Sequence, residues 1–170
     1  MLFTGKGDGG TTKTLRGSER IPKNHSLIEA LGAVDELNAW IGYCRSRSKS
    51  EILLLVQENL FSIQAKLAGA EINFGAEKIV ELETIVNRLE AEMPPIKSFL
   101  IGGESEIGSL FDIARTVARR AERAVIAARG EQPIDDIVIA YLNRLSSLLY
   151  AFTRFSAHSE QRPENAPSYR

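Results

Sequence analysis

Cysteine is almost absent from this chain of 170 residues, because Cys44 is the only one. A single thiol cannot form an internal disulfide, which excludes a disulfide framework and predicts a reducing, cytoplasmic location. Long hydrophobic runs are also missing: the longest strongly apolar run, residues 52–56, is far too short to cross a membrane. The first residues lack the apolar core of a signal peptide. We therefore expect a soluble protein with no membrane partner.

The chain also lacks a large excess of charge of either sign, and it has few histidine and cysteine side chains that could bind a metal. The formal net charge is -1, which gives no bulk electrostatic reason to expect binding to nucleic acid. His25 and His158 are the only histidines, and neither belongs to a Glu-x-x-His pair of the kind found in di-iron bundles. The sequence therefore predicts no metal held by histidine or cysteine. Mg²⁺ accompanying a nucleotide remains compatible, since phosphates supply many of its ligands.

What the chain does contain is hydrophobic residues at helical spacing. They make up 44% of the sequence, which is enough for a sizeable core. Apolar residues recur three and four positions apart in five segments: residues 26–46, 50–72, 76–92, 104–129 and 133–158. No stretch with period-two alternation exceeds a few residues. We predict one all-α domain, a five-helix bundle over residues 25–160 with ferritin-like up-down packing, preceded by a glycine-rich N-terminal loop (1–24) and followed by a mobile tail (161–170).

The fourth predicted helix combines a stripe of small apolar residues with a polar ridge. At about 100° per residue, Arg115, Arg119 and Glu122 lie at i, i+4 and i+7 along one flank of the stripe. Arginine offers a planar fork of donors at fixed charge, which suits a polyphosphate. The alternative is a solvated helix face whose ion pairs contribute roughly a few tenths of a kcal/mol each.

The N-terminal loop is the second candidate for anion binding. Residues 4–14 alternate glycine and threonine with lysine and aspartate, and glycines let backbone N–H groups turn toward an anion. The segment satisfies G-x-G-x-x-G, but no strand precedes it and no βαβ unit follows, and a Walker A loop cannot be drawn. A phosphate-binding loop and a frayed terminus are therefore both open.

Polar residues within the helical stripes are further candidates. Asn38 interrupts the apolar stripe of the first helix, either as a hydrogen-bonded buried amide or as a functional residue. Asp35 lies beside that stripe, where its carboxylate could reach an arginine on another helix or another subunit. A polar face of the fifth helix fits solvent, a subunit interface or a polar ligand, and it carries Asn143, Ser147, Tyr150 and Arg154.

Four separated parts of the chain resemble the PduO-type ATP:cob(I)alamin adenosyltransferases. They are residues 4–12, 20–23, 29–38 and, as the last part, 115–123 followed by 141–146. Any one of them would be a weak match, but their order and spacing together are highly specific. Two residues depart from the family pattern: Ile101 replaces the proline usual before the paired glycines, and Ser147 replaces the aspartate usual in the last helix.

The resemblance implies a homotrimer with active sites between subunits, which transfers the 5′-deoxyadenosyl group of ATP to the cobalt of reduced cob(I)alamin and releases triphosphate. Mg²⁺ would accompany ATP. A flavoprotein or flavodoxin reductase and an adenosylcobalamin-dependent acceptor enzyme are the further partners implied. The alternative function is an ATP-binding regulatory bundle without transferase activity.

The resemblance also assigns roles to individual residues. Arg115 is expected to pair with Asp35 across the interface, Arg119 to act at the triphosphate, and Phe99 to close the lower face of the corrin ring. Cobalamin contacts fall on Phe99, Asp35 and Asn38. The ATP contacts fall on Thr4, Gly5, Lys6, Gly7, Asp8, Thr12, Lys13, Lys23, Arg119, Arg120, Glu122, Arg123 and Asn143.

Overall fold

The computed structural model describes residues 2–15 and 17–169, and over these residues it confirms the predicted all-α five-helix bundle. The elements in chain order are β1 (Thr11–Lys13), β2 (Arg20–Pro22), α1 (Ser26–Ser48), α2 (Ile52–Ala68), α3 (Glu77–Ala91), α4 (Glu106–Ala128) and α5 (Asp136–Ser159). In the part of the chain described, none of the helices combines the length and the apolar character needed to cross a membrane.

Capping residues set helix limits that differ from the predicted ones by a few residues. Ser105 accepts a hydrogen bond from the Gly108 amide and Asp135 accepts one from the Ile137 amide, so α4 and α5 begin two and three residues later than expected. α2 ends at Ala68 because Gly69 takes a left-handed conformation with φ 106°. The hydrophobic pattern runs on past these points, whereas the backbone hydrogen bonds do not.

The helices alternate in direction, as the up-down prediction requires. At one end of the bundle, His25 Nε2 lies 3.0 Å from Glu131 Oε2, which brings the start of α1 to the end of α4. At the other end, Arg47 pairs with Glu106 and the Ser105 hydroxyl donates to Glu160. α4 packs on both α1 and α5, while α3 packs on α5. The arginine-bearing helix is therefore central to the bundle.

Small side chains on α4 form the centre of the core. Ala114, Ala118 and Ala121 are fully buried, so neighbouring helices can approach α4 closely. The predicted apolar stripe of α4 is confirmed, with Phe111 as an additional buried residue whose ring stacks on Phe152 at 4.9 Å between centroids.

The N-terminal segment contains a β-ribbon that the sequence analysis did not predict. β1 and β2 pair antiparallel, with Thr11 opposite Pro22 and Lys13 opposite Arg20. Arg20 holds the segment together, since its guanidinium donates to Thr11 Oγ1 at 2.8 Å and to the Lys6 carbonyl at 2.6 Å. Strands of three residues are too short for an alternating pattern to reveal them, which explains why residues 1–24 were expected to form a loop throughout.

Candidate functional site

The predicted phosphate-binding segment forms tight turns beside the β-ribbon. The Asp8 amide donates to the Gly5 carbonyl, and the Lys23 amide donates to the Gly10 carbonyl at 2.8 Å. A Cβ on Gly7 would lie 3.1 Å from Lys23 Nζ, so the absence of a side chain at Gly7 leaves room for the lysine. These two amides are bonded within the segment, and the turn places the Lys23 ammonium beside Gly7 as a cation for an anion.

Most of the polar groups that the resemblance assigns to ATP in this segment are accessible. Lys6, Lys13 and Lys23 are exposed, as are Thr4 and Asp8. Gly5 is also exposed, whereas Gly7 and Thr12 are half-buried. An exposed row of lysines next to a rigid turn is suited to a multiply charged anion.

The arginine ridge of α4 is exposed and partly ordered by its neighbours. Arg119, Arg120 and Arg123 are exposed. Arg120 pairs with Glu36 of α1, and Arg123 Nη1 donates to the Arg119 carbonyl at 3.1 Å. Because Arg119 lies between these partners and makes no side-chain hydrogen bond to any described residue, its guanidinium is the group of the ridge most available to a ligand.

Two predicted ATP residues from different helices meet in the structure. Asn143 Nδ2 of α5 donates to Glu122 Oε1 of α4 at 3.1 Å. This contact orients the Glu122 carboxylate toward the polar face of α5. It therefore extends the arginine ridge sideways onto the neighbouring helix.

Arg115 and Asp35 do not meet within one chain. Arg115 Nε pairs with Asp112 Oδ1 of its own helix at 2.7 Å, and its guanidinium lies 5.9 Å from the centroid of the Tyr150 ring. Asp35 is exposed on α1, and no ion pair within residues 2–15 and 17–169 includes it. The pairing of these two residues across subunits stays a prediction.

Phe99 lies in the segment between α3 and α4, and its side chain is highly exposed, at 79%. Beside it is a cavity of about 640 Å³ whose wall also includes Asp112, Arg115 and Tyr150. A second cavity of about 320 Å³ is lined by Arg115, Tyr150 and Arg119. Arg115 of α4 and Tyr150 of α5 line both cavities, so together they connect the region around the exposed Phe99 ring to Arg119.

Ile101 and Ser147, the two departures from the family pattern, both lie in this region. Ile101 lines the larger cavity, where its amide donates to the Asn165 carbonyl. A proline has no amide hydrogen and could not make this bond. Ser147 lines the smaller cavity and is exposed, so it adds a hydroxyl where a carboxylate would add charge.

Asn38 is buried, with 5% of its surface exposed. Its Oδ1 atom has no hydrogen-bond partner among the described residues, while its backbone carbonyl accepts from Gln57 Nε2 at 3.3 Å. Within one chain, this burial keeps the side chain away from a ligand on the surface. A contact between Asn38 and cobalamin stays a prediction that the fold of a single subunit does not favour.

Cys44 and Tyr141 are buried groups that are poorly placed to act as nucleophiles. Burial raises the pKa of the Cys44 thiol to about 11, so little thiolate exists at neutral pH. Burial also raises the pKa of Tyr141 above its usual range, and the Tyr141 hydroxyl accepts a hydrogen bond from Asn59 at 3.2 Å. The candidate site therefore offers cations and an apolar wall for positioning a ligand.

Arg154 is the residue of this region whose position was misjudged from the sequence. It was expected on a polar face of α5 open to solvent, a subunit or a ligand, yet it is buried, with 6% exposed. Its guanidinium donates to Glu164 at 2.7 Å and to the Pro94 carbonyl at 2.8 Å. Both partners lie in proline-containing segments without periodicity, so no sequence signal identified them.

Comparison with known proteins places this geometry in context. A family model described as Cobalamin adenosyltransferase matches residues 2–156. The corrinoid adenosyltransferase PduO of Citrobacter freundii is 35% identical over 168 residues, which cover 92% of this chain and 50% of the relative. The corrinoid adenosyltransferase of Bacillus subtilis is 35% identical over 165 residues, which cover 90% of this chain and 84% of the relative. The chain spans about half the length of the PduO relatives from Citrobacter freundii and Salmonella typhimurium.

Solved structures match the fold along nearly the whole chain. A variant PduO-type ATP:corrinoid adenosyltransferase from Lactobacillus reuteri, complexed with cobalamin and ATP, has a TM-score of 0.93 at 30% identity and covers 99% of both chains. Another variant from the same organism, complexed with ATP, has a TM-score of 0.90 at 30% identity and covers 98% of this chain and 99% of the other.

Proposed function

The chain belongs to the cobalamin adenosyltransferase family, and from this premise we propose that it transfers the 5′-deoxyadenosyl group of ATP to the cobalt of reduced cob(I)alamin. The observation that carries the proposal is the match over 99% of the chain to a structure complexed with cobalamin and ATP. The products would be adenosylcobalamin and triphosphate. The exposed lysines, the arginine ridge and the cavity beside Phe99 supply the two binding surfaces that such a transfer requires.

The ATP surface would be built from the N-terminal turn and the arginine ridge. Lys6 and Lys23 lie on the turn, while Arg119 and Arg123 lie on α4. As the family resemblance implies, we propose that the turn of one subunit faces the α4 ridge of its neighbour. In this arrangement cations approach the triphosphate from two sides, and a homotrimer would contain three such interfaces.

The corrinoid surface would be the region around Phe99. An exposed aromatic ring beside an apolar cavity can lie against the flat macrocycle and exclude a ligand from its lower face. Removing the lower ligand of cobalt lowers the energy of the orbital that accepts an electron, which favours the reduced state. Asp35 of a neighbouring subunit, paired with Arg115, would border the same region.

The chemical step requires no nucleophile from the protein. The cobalt of cob(I)alamin attacks the 5′ carbon of ATP, a cobalt–carbon bond forms, and the bond from that carbon to the triphosphate oxygen breaks. The protein's task is to hold the two substrates in line and to stabilise charge on the departing triphosphate. Arg119 and the lysines of the turn are the groups placed for that task.

Magnesium fits this site as a companion of the nucleotide. Within residues 2–15 and 17–169, no group of three or more His, Cys, Asp or Glu side chains could hold a metal ion. Asp8, exposed beside the lysines of the turn, offers one carboxylate, and Mg²⁺ is commonly held by one or two carboxylates together with substrate phosphates. When bound, the ion would neutralise charge on the triphosphate.

The proposed activity is tested by mixing purified protein anaerobically with chemically reduced cobalamin, ATP and Mg²⁺. We expect light-sensitive adenosylcobalamin to accumulate, in amounts well above one equivalent per subunit, as followed by absorbance. ATP that raises the thermal midpoint without any product would instead support the regulatory ATP-binding bundle. If the protein forms no product and ATP causes no thermal shift, both functions are contradicted.

The proposed subunit contact is tested with Asp35→Asn, which removes the charge at nearly constant volume. If Asp35 pairs with Arg115 in a buried interface, the variant leaves that arginine with Asp112 as its remaining carboxylate partner, which costs about 2 kcal/mol, the low end for breaking a buried charge pair. We expect sedimentation velocity over a dilution series to detect earlier dissociation, together with lower turnover. Asp136→Asn is the matched control, because Asp136 is an exposed aspartate paired within the chain to Arg129. Unchanged assembly and turnover in Asp35→Asn would remove it from the interface.

Two further partners and the cellular location belong to the same proposal. Because the attacking species is reduced cobalt, a reductant must supply the electron. We propose a flavoprotein or flavodoxin reductase for that role, with an adenosylcobalamin-dependent enzyme as the acceptor of the product. The single buried cysteine accords with a reducing cytoplasmic compartment.

A further inference from the structure

Arg154 carries a buried charge whose pairing is more extensive than that of any other described arginine on α5. Its Nε donates to Glu164 Oε1 at 2.7 Å, and its Nη2 donates to Glu164 Oε2 at 3.1 Å and to the Pro94 carbonyl at 2.8 Å. Removing a guanidinium from water is costly unless its donors find partners. The bidentate geometry supplies those partners and fixes orientation as well. Arg154 therefore joins α5 to two segments that have no regular structure.

Those two segments are the ones that determine where Phe99 lies. Pro94 is five residues before Phe99 in the connection between α3 and α4, and Glu164 belongs to the C-terminal tail. The next tail residue, Asn165, accepts from the Ile101 amide at 2.8 Å and donates to Glu104 Oε1 at 2.6 Å. The connection is thus held on both sides of Phe99, by Arg154 at Pro94 and by Asn165 at Ile101. Arg154 also holds Glu164, the tail residue next to Asn165.

Phe99 itself has little else to hold it. Its side chain is exposed, and the Ser98 hydroxyl donates only to the Phe99 carbonyl. The cavity beside it is lined by Arg154, Glu164 and Tyr150, and Arg154 also lines the smaller cavity next to Arg119. The Arg154–Glu164 pair and the Phe99 segment therefore line the same cavity.

We propose that Arg154, through its bidentate pair with Glu164, is a positioning residue that holds the Phe99 segment in place for the corrinoid. The inference rests on the proposed function, which assigns the corrinoid to the region around Phe99. Arg154 does not contact the ring directly. It bonds to the Pro94 carbonyl and to Glu164 of the tail, and the next tail residue, Asn165, bonds to the Ile101 amide. Loss of the pair should weaken corrinoid use and leave ATP use unchanged.

The test uses Glu164→Gln, which replaces one carboxylate oxygen by an NH2 group, removes the negative charge and leaves Arg154 in place. We expect the KM for cob(I)alamin to rise roughly tenfold, because a buried charged donor loses part of its pairing, while the KM for ATP stays constant. Arg154→Lys should behave in the same way, since an ammonium cannot form the bidentate pair. Arg162→Gln is the matched control, because Arg162 is an exposed tail residue paired with Glu160, and it should behave as the wild type.

A double-mutant cycle separates positioning from a general loss of structure. In Phe99→Ala the ring is gone, so adding Glu164→Gln should raise the KM for cob(I)alamin no further. Additive effects of the two substitutions, or an equal rise in both KM values, would overturn the proposal.

Hydrogen exchange measures, without any substrate, how firmly the tail holds the segment that contains Phe99. The peptide containing residues 96–103 should exchange faster in Glu164→Gln than in the wild type, because the Ile101 amide bonds to the tail, and Arg162→Gln should match the wild type. Equal exchange in all three proteins would overturn the fastening. If the wild type forms no adenosylcobalamin, but Glu164→Gln still exchanges faster than the wild type, the proposed function is refuted and the role of the tail in holding the segment is supported.

Discussion

Replacing Arg119 by alanine is expected to lower the turnover of cob(I)alamin by roughly 30- to 1000-fold, equivalent to about 2–4 kcal/mol of transition-state stabilisation. Arg119 is exposed, and it makes no side-chain hydrogen bond to any described residue, so its guanidinium is free to meet the triphosphate. Charge grows on the leaving oxygen as the carbon–oxygen bond breaks, and a fixed cation acts most strongly at that stage. The loss should therefore appear mainly in kcat.

The fold should tolerate this change. A substitution at an exposed helical position away from the core usually alters stability by about 0.5 kcal/mol or less. Arg129→Ala is the matched control: Arg129 follows the same helix, is exposed, and pairs with Asp136 outside the proposed site. Turnover of the control should equal that of the wild type under identical anaerobic conditions. If Arg119→Ala retained full turnover with a native thermal midpoint, Arg119 would have no part in stabilising the leaving group.

The largest expected effect on stability comes from Phe111→Ala. Phe111 is only 2% exposed, and its ring stacks on Phe152 with an interplanar angle of 19°. Truncating a buried phenylalanine removes its transfer free energy and leaves a cavity in the core, which together cost about 3–5 kcal/mol. We expect guanidinium denaturation to give an unfolding free energy lower by this amount, with an unchanged slope, at one fixed protein concentration.

Phe61→Ala provides the comparison for this prediction. Phe61 lies on α2 and is 62% exposed, so its truncation removes the same atoms without opening a cavity. Its unfolding free energy should remain within about 0.5 kcal/mol of the wild type. Similar losses for both variants would mean that Phe61 is covered in the assembled protein. A loss below 1 kcal/mol for Phe111→Ala would mean that the core collapses to fill the space.

The helical bundle was predictable because helix formation is governed by neighbours along the chain. Apolar residues three and four positions apart define each helix, and the stripe of small apolar residues on the fourth helix follows from the same spacing. The resemblance to a family then named the site residues, since their order and spacing are properties of the sequence. The helix ends were less accurate, because Ser105, Gly69 and Asp135 end or begin helices through backbone and cap hydrogen bonds that a hydrophobic pattern does not encode.

Other features were decided by the tertiary structure, because they depend on residues far apart in the chain. Arg154 meets Pro94, which is 60 positions away, and Glu122 meets Asn143, which is 21 positions away. Five amphipathic helices, a cationic ridge and a segment rich in glycine and lysine follow from the order of the residues alone. Only the folded chain decided that Arg154 is buried, that Arg20 organises a β-ribbon, and that Asp35 and Arg115 do not pair within one subunit. Periodicity fixes which face of a helix is apolar, whereas partners across the fold are fixed by how those faces pack.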